Sequence, residues 1–441
     1  ELGKALEASC MCLHIGARNV IECVLEDSFD VLDFNLIDEA QFKPDELEIE
    51  FDTNQIVDSR IKLNGLERFE SLKVVRFISI DGFELDYNPF KGFNRKVELF
   101  LSRSKLAVFS NGAPFDNSLN CNEQYFDGLT EPFVFESIES LSFSARNPID
   151  PICPLVFRNV NLKQITLSKY PITFYQLNNV NVGLNAKVDR LTFLLMENLK
   201  LSSDQMNQLL FVDLSNFEVI DSSIAQIDIL TFKELRNLRR VLFKLNNLRE
   251  FIDWNKLNGG WMFYMNGDVK VDDLSDCEYI EENREKKLEF YINQSLTAND
   301  QNEQLELNDE EDFCAFRYFS HRSLVLPFLD LNQDLECTCT IYYLIQNWHL
   351  KPAYLDSTTN CRENANFYEE IEKCDFKERL EKCENDVNDP NLKPYEESKI
   401  DRKCIDPLQT TTTSQITTTT IDETSESTEE PDTTTTTTTI D

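Results

Sequence analysis

The hydrophobic residues of this chain recur on a skeleton that is clearest in Leu238-Arg239-Arg240-Val241-Leu242-Phe243-Lys244-Leu245-Asn246-Asn247-Leu248. Apolar residues occupy places 1, 4, 6 and 11 of that window, and an asparagine stands at place 9. Places 4 and 6 alternate with other residues, the period of a short strand with one buried face. With slack at places 1 and 9, the skeleton fits many segments. These are Ile49, Phe51, Asn54 and Ile56; Leu72, Val75, Phe77 and Ile80; Val97 and Leu99, weakly; Ile138, Leu141 and Phe143. Further along come Leu162, Ile165, Leu167, Tyr170 and Ile172; Val188, Leu191, Phe193, Met196 and Leu199; Leu209, Val212, Leu214, Phe217 and Val219. After the reference window come Trp261, Phe263 and Asn266, then Leu288, Phe290 and Asn293.

These segments start roughly 20–29 residues apart, a repeat spacing. A strand this short cannot bury its face alone. Stacking successive turns pairs the strands in parallel and closes one continuous core. The expected fold is an α/β solenoid. One turn is missing near residues 105–135, a stretch that holds Cys121 and is expected to loop out. The place-9 asparagine can bond backbone groups at the bend after the strand. Where Ile80, Tyr170, Met196 or Phe217 replaces it, bulky apolar packing has to hold the bend. Between strands, Ser202 to Gln208 and Thr231 to Leu235 read as short helices, the first with a capping serine.

Composition sharpens this picture. The 441 residues carry a formal charge of -36, and 32 Phe against 11 Gly argue for a packed body. A surface so acidic repels phosphate backbones, which excludes nucleic acid as a natural partner. Acidity of this kind mainly favours solubility. No run of 18 or more apolar residues exists, so no membrane span is expected within this chain. The chain opens at Glu1 without an initiator Met, and a processed N-terminus is expected.

The cysteines cluster. Cys10, Cys12 and Cys23 lie near the start, and Cys337, Cys339, Cys361, Cys374, Cys383 and Cys404 near the end of the folded part. Cys121, Cys153, Cys277 and Cys314 lie between. Clusters at the two ends of a long body read as disulfide staples on two caps, in an oxidising compartment. The odd count, 13, leaves one thiol unpaired or a partner upstream of residue 1. The expected organisation is an N-terminal cysteine cap over residues 1–30 and a degenerate repeat body over 31–335 with an acidic insertion at about 297–312. A C-terminal cysteine-rich cap over 336–406 follows. Residues 407–441 are rich in Thr with Ser, Asp and Glu, too poor in apolar residues to order, and read as a disordered, glycosylated stalk.

Body and ends together resemble an extracellular leucine-rich-repeat protein. Leu335-Glu336-Cys337-Thr338-Cys339-Thr340-Ile341-Tyr342-Tyr343-Leu344-Ile345-Gln346-Asn347-Trp348 looks like that family's C-terminal flanking cap, in which a Cys-x-Cys pair opens a short helix. Cys10-x-Cys12 with Cys23 looks like its N-terminal cap lacking a first cysteine. The resemblance spans roughly residues 8–390. It implies a horseshoe with a curved parallel sheet and disulfide-capped ends. It also implies pairing of Cys337 with Cys361 and of Cys339 with Cys374 or Cys383; the additional Cys383 and Cys404 depart from the pattern.

Candidate chemistry is sparse. The Cys-x-Cys pairs lack the spacing of zinc sites, and disulfides fit better. His14, His321 and His349 stand in no recognisable catalytic setting. Asp309-Glu310-Glu311-Asp312 and Glu429-Glu430 lack the glycine turn of a calcium loop and read as solvated faces. No catalytic site, cofactor or metal is expected. Asn293-Gln294-Ser295 is a glycosylation sequon, yet the repeat pattern puts Asn293 at an inward place; either that turn is misassigned or the sequon is silent. The candidate ligand face consists of residues flanking the inward places: Arg76, Ser142, Ser144, Thr166, Ser168, Thr192, Asp213, Lys244, Met262 and Tyr264. The expected function is binding, by a secreted or cell-surface protein of receptor or adhesion type, of a protein or glycan ligand. The alternative is a structural or mucin-like matrix component without a discrete ligand. A membrane anchor would lie beyond Asp441.

Overall fold

A computed structural model describes residues 10–25, 31–37, 42–51, 60–78, 84–85, 90, 96–102, 107–110, 113–114, 121–122, 138–144, 151–175, 177, 184–265, 288–294, 307, 312–319, 325–330, 336–345, 361 and 366–384. Nineteen strands fall among them. The main sheet holds β1 (Cys10–Ile15), β2 (Arg18–Leu25), β4 (Glu46–Phe51), β6 (Val74–Ile78), β8 (Val97–Ser102) and β11 (Ile138–Ser144). It continues through β12 (Asn161–Ser168), β13 (Lys187–Leu194), β15 (Asn216–Ser222), β17 (Arg240–Leu245), β18 (Leu288–Gln294) and β19 (Val325–Asp330). These twelve strands pair in chain order. All neighbours are parallel except the β1–β2 hairpin.

Between main strands the early chain contributes a second sheet: β3 (Val31–Asp33), β5 (Arg60–Asn64), β7 (Glu84–Leu85), β9 (Ala107–Ser110) and β10 (Ala113–Pro114). Strands therefore alternate between the two sheets. Gly65 turns the chain after β5 with φ 83°, and a Cβ there would lie 2.8 Å from Asn35 Cγ. Further on, β14 (Leu199–Leu201) and β16 (Ile224–Ile227) form a two-stranded parallel sheet.

The strand register fixes the inward rows. One runs Ile21, Leu47, Val75, Leu99, Leu141, Ile165, Leu191, Phe217, Val241 and Phe290; its neighbour runs Cys23, Ile49, Phe77, Leu101, Phe143, Leu167, Phe193, Val219, Phe243 and Ile292. All are buried. Full burial of each such side chain contributes about 1.5–3 kcal/mol, so the rows and what packs beneath them dominate stability. Rings continue from strand to strand: Phe193–Phe217 at 5.7 Å, Phe217–Phe243 at 6.2 Å and Phe243–Phe290 at 5.2 Å.

The repeat pattern places this register correctly at Val75, Leu141, Ile165, Leu191 and Val241 and misses it elsewhere. In β4 the residues in these two rows are Leu47 and Ile49, two positions ahead of the pair that the pattern marks. In β8 they are Leu99 and Leu101, and in β18 Phe290 and Ile292. In β15 they are Phe217 and Val219; Val212 and Leu214 lie ahead of the strand. Period-2 alternation continues along each strand, so a shift of two preserves the pattern and only cross-strand pairing decides it. Trp261, fully buried, and Met262 lie on the Trp261–Met265 helix rather than on a strand.

Other elements also differ. Ser202 to Gln208 is a turn: Gln205 Oε1 accepts the Ser202 N–H at 2.6 Å, and Met206 N donates to Ser202 O at 3.1 Å. Thr231 to Leu235 is likewise a succession of turns. The helix of the central turns is Leu248–Asn258, started by Asn247, whose side chain accepts from Glu250 N at 3.0 Å. β8 and β11 are direct neighbours, so the described residues between them give no strand to the main sheet, in line with the missing turn; β9 and β10 among them belong to the second sheet.

Bends are held by varied means. Asn246 is exposed, and its Nδ2 donates to Asp221 O at 3.0 Å. Ser222, fully buried, accepts the Met196 N–H at 2.9 Å and donates to Ile220 O at 2.7 Å. Met196 packs inward, whereas Tyr170 is exposed, so apolar packing does not replace the asparagine everywhere.

Five disulfides join described residues: Cys10–Cys23, Cys121–Cys153, Cys314–Cys383, Cys337–Cys361 and Cys339–Cys374. Cys12 is a free, exposed thiol and not a disulfide partner. Cys277 and Cys404, His321 and His349, and the Thr-rich tract from 407 lie outside the described residues. The acidic insertion does not end as a solvated face. Asp312 is fully buried, 3.1 Å from Arg249 Nη1 and 3.2 Å from Lys256 Nζ.

Candidate functional site

Side chains between the inward rows point to the other face of the main sheet. The register aligns them into one continuous row: Met11, Glu22, Glu48, Arg76, Phe100, Ser142, Thr166, Thr192, Glu218, Leu242, Tyr291 and Phe328. Arg76, Ser142, Thr166 and Thr192 are thus consecutive members of one line, apart from Phe100 after Arg76. Lys244 stands beside that line in β17, 3.6 Å from Asp221. Ser144 and Ser168 pair with one another further along β11 and β12.

Three candidates fall elsewhere. Asp213 precedes β15 and accepts from Asn237 Nδ2 at 3.2 Å. Met262 is fully buried, and Tyr264 lies in the Trp261–Met265 helix. Asp213 was misplaced by the β15 register shift, and the other two by reading a helix as a strand.

Along the row, chemistry changes in three steps. At the early end Glu22, Glu46, Glu48 and Glu50 gather. Arg18 Nη1 donates to Glu46 Oε1 at 2.6 Å, and Arg76 Nε lies 3.7 Å from Glu46 Oε2. The Arg76 guanidinium also sits over the Phe100 ring at 4.2 Å. Burial, reinforced by Glu22, Glu50 and Glu46 and opposed by Arg76, raises the pKa of the Glu48 carboxyl.

In the middle, short polar side chains are bonded to one another. Gln164 Nε2 donates to Thr166 Oγ1 at 2.8 Å and to Thr192 Oγ1 at 3.4 Å. Thr192 Oγ1 in turn donates to Glu218 Oε2 at 3.1 Å, and Arg190 Nε lies 3.7 Å from Glu218 Oε1. Thr192 and Glu218 are only 4% and 8% exposed although they point away from the core. Their neighbours on the same face shield them, so this patch is held in place before anything binds.

At the late end the row becomes aromatic. Tyr291 stacks on Phe328 at 4.7 Å, Arg240 lies over the Tyr291 ring at 4.7 Å, and the Tyr291 hydroxyl donates to Glu289 Oε2 at 3.1 Å. Glu218, Arg190 and Tyr291 were missed by sequence reasoning. Glu218 was hidden by the misread β15 register, and Tyr291 by the two-residue shift in β18. Asn293 is not inward: it pairs with Lys244 and Asp330 on the Tyr291 side of β18.

Among the described residues no cluster of three or more His, Cys, Asp or Glu is placed to hold a metal ion. His14 is exposed, with Nδ1 2.6 Å from Asn19 Oδ1 and its ring 5.4 Å from Phe42. Among the described residues no helix is long and apolar enough to cross a membrane. No family model, curated protein or solved structure matches the chain.

Proposed function

We propose that this chain is an extracellular or cell-surface binding protein. Its main sheet would be the inner wall of a leucine-rich-repeat-like solenoid that offers the outer row to a protein or glycan ligand. The carrying observation is that row: a single register line whose middle is polar, internally bonded and shielded, flanked by charged and aromatic ends. Preorganised polar groups beside aromatic and arginine side chains are the composition of protein-recognition surfaces. Five disulfides fit an oxidising compartment.

The test is a screen of the full chain, displayed as an oligomer, against an array of extracellular proteins and glycans. The reading expects a saturable partner whose binding falls at least about tenfold on Ser142→Arg or Thr166→Arg. Both sites are half-buried strand positions on the outer side. A partner indifferent to both substitutions would overturn the assignment of this face. Small-angle scattering tests the overall shape: a closed-barrel profile would overturn the solenoid.

A further inference from the structure

A second binding feature lies away from the main sheet and stands independently of the reading above. β14 and β16 pair in parallel, with Leu199 opposite Ile224. Along the main sheet Phe217 pairs with Val241 and, past a register shift, Ser222 pairs with Leu245, so the residues that would carry the ladder on beside Ile224 are Asn247 and Leu248. They do not continue it. Asn247 caps the Leu248–Asn258 helix at this point and turns the chain out of extended conformation. Among the described residues the two-stranded sheet therefore stops at β16, whose far edge has no strand neighbour there.

The helix does not close on that edge. A cavity of about 360 Å³ separates residues 225–229 from Trp254, Leu257 and Asn258, with Tyr318 among its lining residues. Leu257 is 59% exposed and Ile229 37%, unusual for large apolar side chains facing one cleft. The ionisable carboxylate of the lining is Asp228, on a chain of net charge -36.

We propose that this groove binds an extended, cationic peptide by strand addition to β16. An open strand edge supplies backbone donors and acceptors, and the Trp254–Leu257 wall receives alternate apolar side chains of the added strand. Lysine or arginine at intervening positions meets Asp228. Acidic segments, such as the Asp- and Glu-bearing tract after residue 421, have the wrong charge for this site.

The probe is a fluorescein-labelled nonapeptide alternating lysine with leucine or valine, titrated against the full chain by fluorescence anisotropy. Saturable binding below about 1 mM is expected. Leu257→Asp should weaken it at least about tenfold; its exposed position leaves the fold intact, checked by an unchanged melting temperature. N-methylation of alternate peptide amides should abolish binding, because it removes the ladder donors. Absence of saturation, or indifference to Leu257→Asp, would overturn the proposal. Binding that survives N-methylation of each of the two alternate sets of amides in turn would show hydrophobic capture without strand addition and overturn it too. Thr166→Arg on the main-sheet face should leave the peptide affinity unchanged, which separates failure here from failure of the sheet-face reading.

Discussion

The two ends of the main sheet solve one problem in different ways. At the first end, β1 folds back antiparallel on β2, and Cys10 is opposite Cys23 in the register that their disulfide locks. A hairpin moves the sheet edge outward by one strand without removing it. Met11 and Ile15 stay 54% and 48% exposed on it. At the other end, the described core residues of β19 are buried on both faces, and helical segments follow. There Phe313, Tyr343 and Cys383 form a small core of their own, with Phe313 4.7 Å from Tyr343 and 5.9 Å from Phe376. The Tyr343 hydroxyl donates to Arg317 O at 2.8 Å. The lesson is that a hairpin end is held by one short staple but preserves an edge. The helical segments at the other end are cross-linked by Cys314–Cys383, Cys337–Cys361 and Cys339–Cys374, and have to satisfy buried charge as well.

That buried charge is the sharpest place to break the comparison. Asp312 joins the helical end to Arg249 and Lys256 of the Leu248–Asn258 helix. Asp312→Ala leaves both cations without their buried partner and should cost about 3–5 kcal/mol, read from urea denaturation. Arg249 keeps 30% of its side chain in solvent, so the lower end of that range is expected. No charge at the hairpin end should approach this effect.

Disulfide removal comes next. Paired Cys→Ser substitution at Cys314 and Cys383, separated by 69 residues, should cost about 4.4 kcal/mol from chain entropy. The same change at Cys10 and Cys23, separated by 13, should cost about 2.9 kcal/mol. Equilibrium unfolding of the two double variants ranks them. A larger loss at the hairpin would mean that the first end, not the second, controls cooperative unfolding.

Smaller effects distinguish the ends by pH. Burial, with Glu22, raises the Glu48 carboxyl, so the folded state holds that proton more tightly than the unfolded chain does. Stability from this group falls as pH rises from the ordinary carboxylate range through the raised pKa. Glu48→Gln should therefore stabilise near neutral pH by under about 1 kcal/mol, given partial solvent screening, and the gain should vanish in acid. Asp253 behaves oppositely. Burial works against its ionised form, but Lys256 and Arg249 outweigh it and hold the pKa low. Its contribution is present above the ordinary carboxylate pKa and is lost as pH falls through the depressed value. Melting curves of wild type, Glu48→Gln and Asp253→Asn across pH 3–8, roughly the span of carboxylate titration, should show slopes of opposite sign.

The smallest effect is chemical. Cys12, on the exposed hairpin, should be alkylated without reductant, and peptide mapping would locate the adduct. Burial raises its thiol pKa, so its rate near neutral pH should fall below that of an unhindered cysteine. A Cys12 that resists alkylation in the native protein would mean that the hairpin edge is covered.

How far the chain was readable depends on the element. The turn at Val241 and Phe243 was legible because place 4, place 6 and the following asparagine agree. The turn at Phe217 was not, since Leu209, Val212 and Leu214 present the same spacing just ahead of it. Cys10, Cys23, Cys337 and Cys339 marked the stapled ends from sequence, but which of Cys10 and Cys12 would pair required the register of β1 on β2. On the candidate face, Thr166 and Thr192 followed directly from well-placed strands. Glu218 and Tyr291 could have been found only by demanding that every turn align with the next.

By itself the sequence determined that short strands with one apolar face recur and pair in parallel, because a strand that short cannot bury its apolar face alone. It also determined that cysteines gather at the ends. The tertiary structure decided the rest. It set the two-residue register of β4, β8 and β18, replaced a strand by a capped helix at Leu248, and buried the last acid of an acidic run as a bridge to Arg249 and Lys256. The reason is common to all three. Local alternation specifies which residues seek the interior, but a shift of two, a cap or an ion pair is chosen only by what the neighbouring turn places opposite.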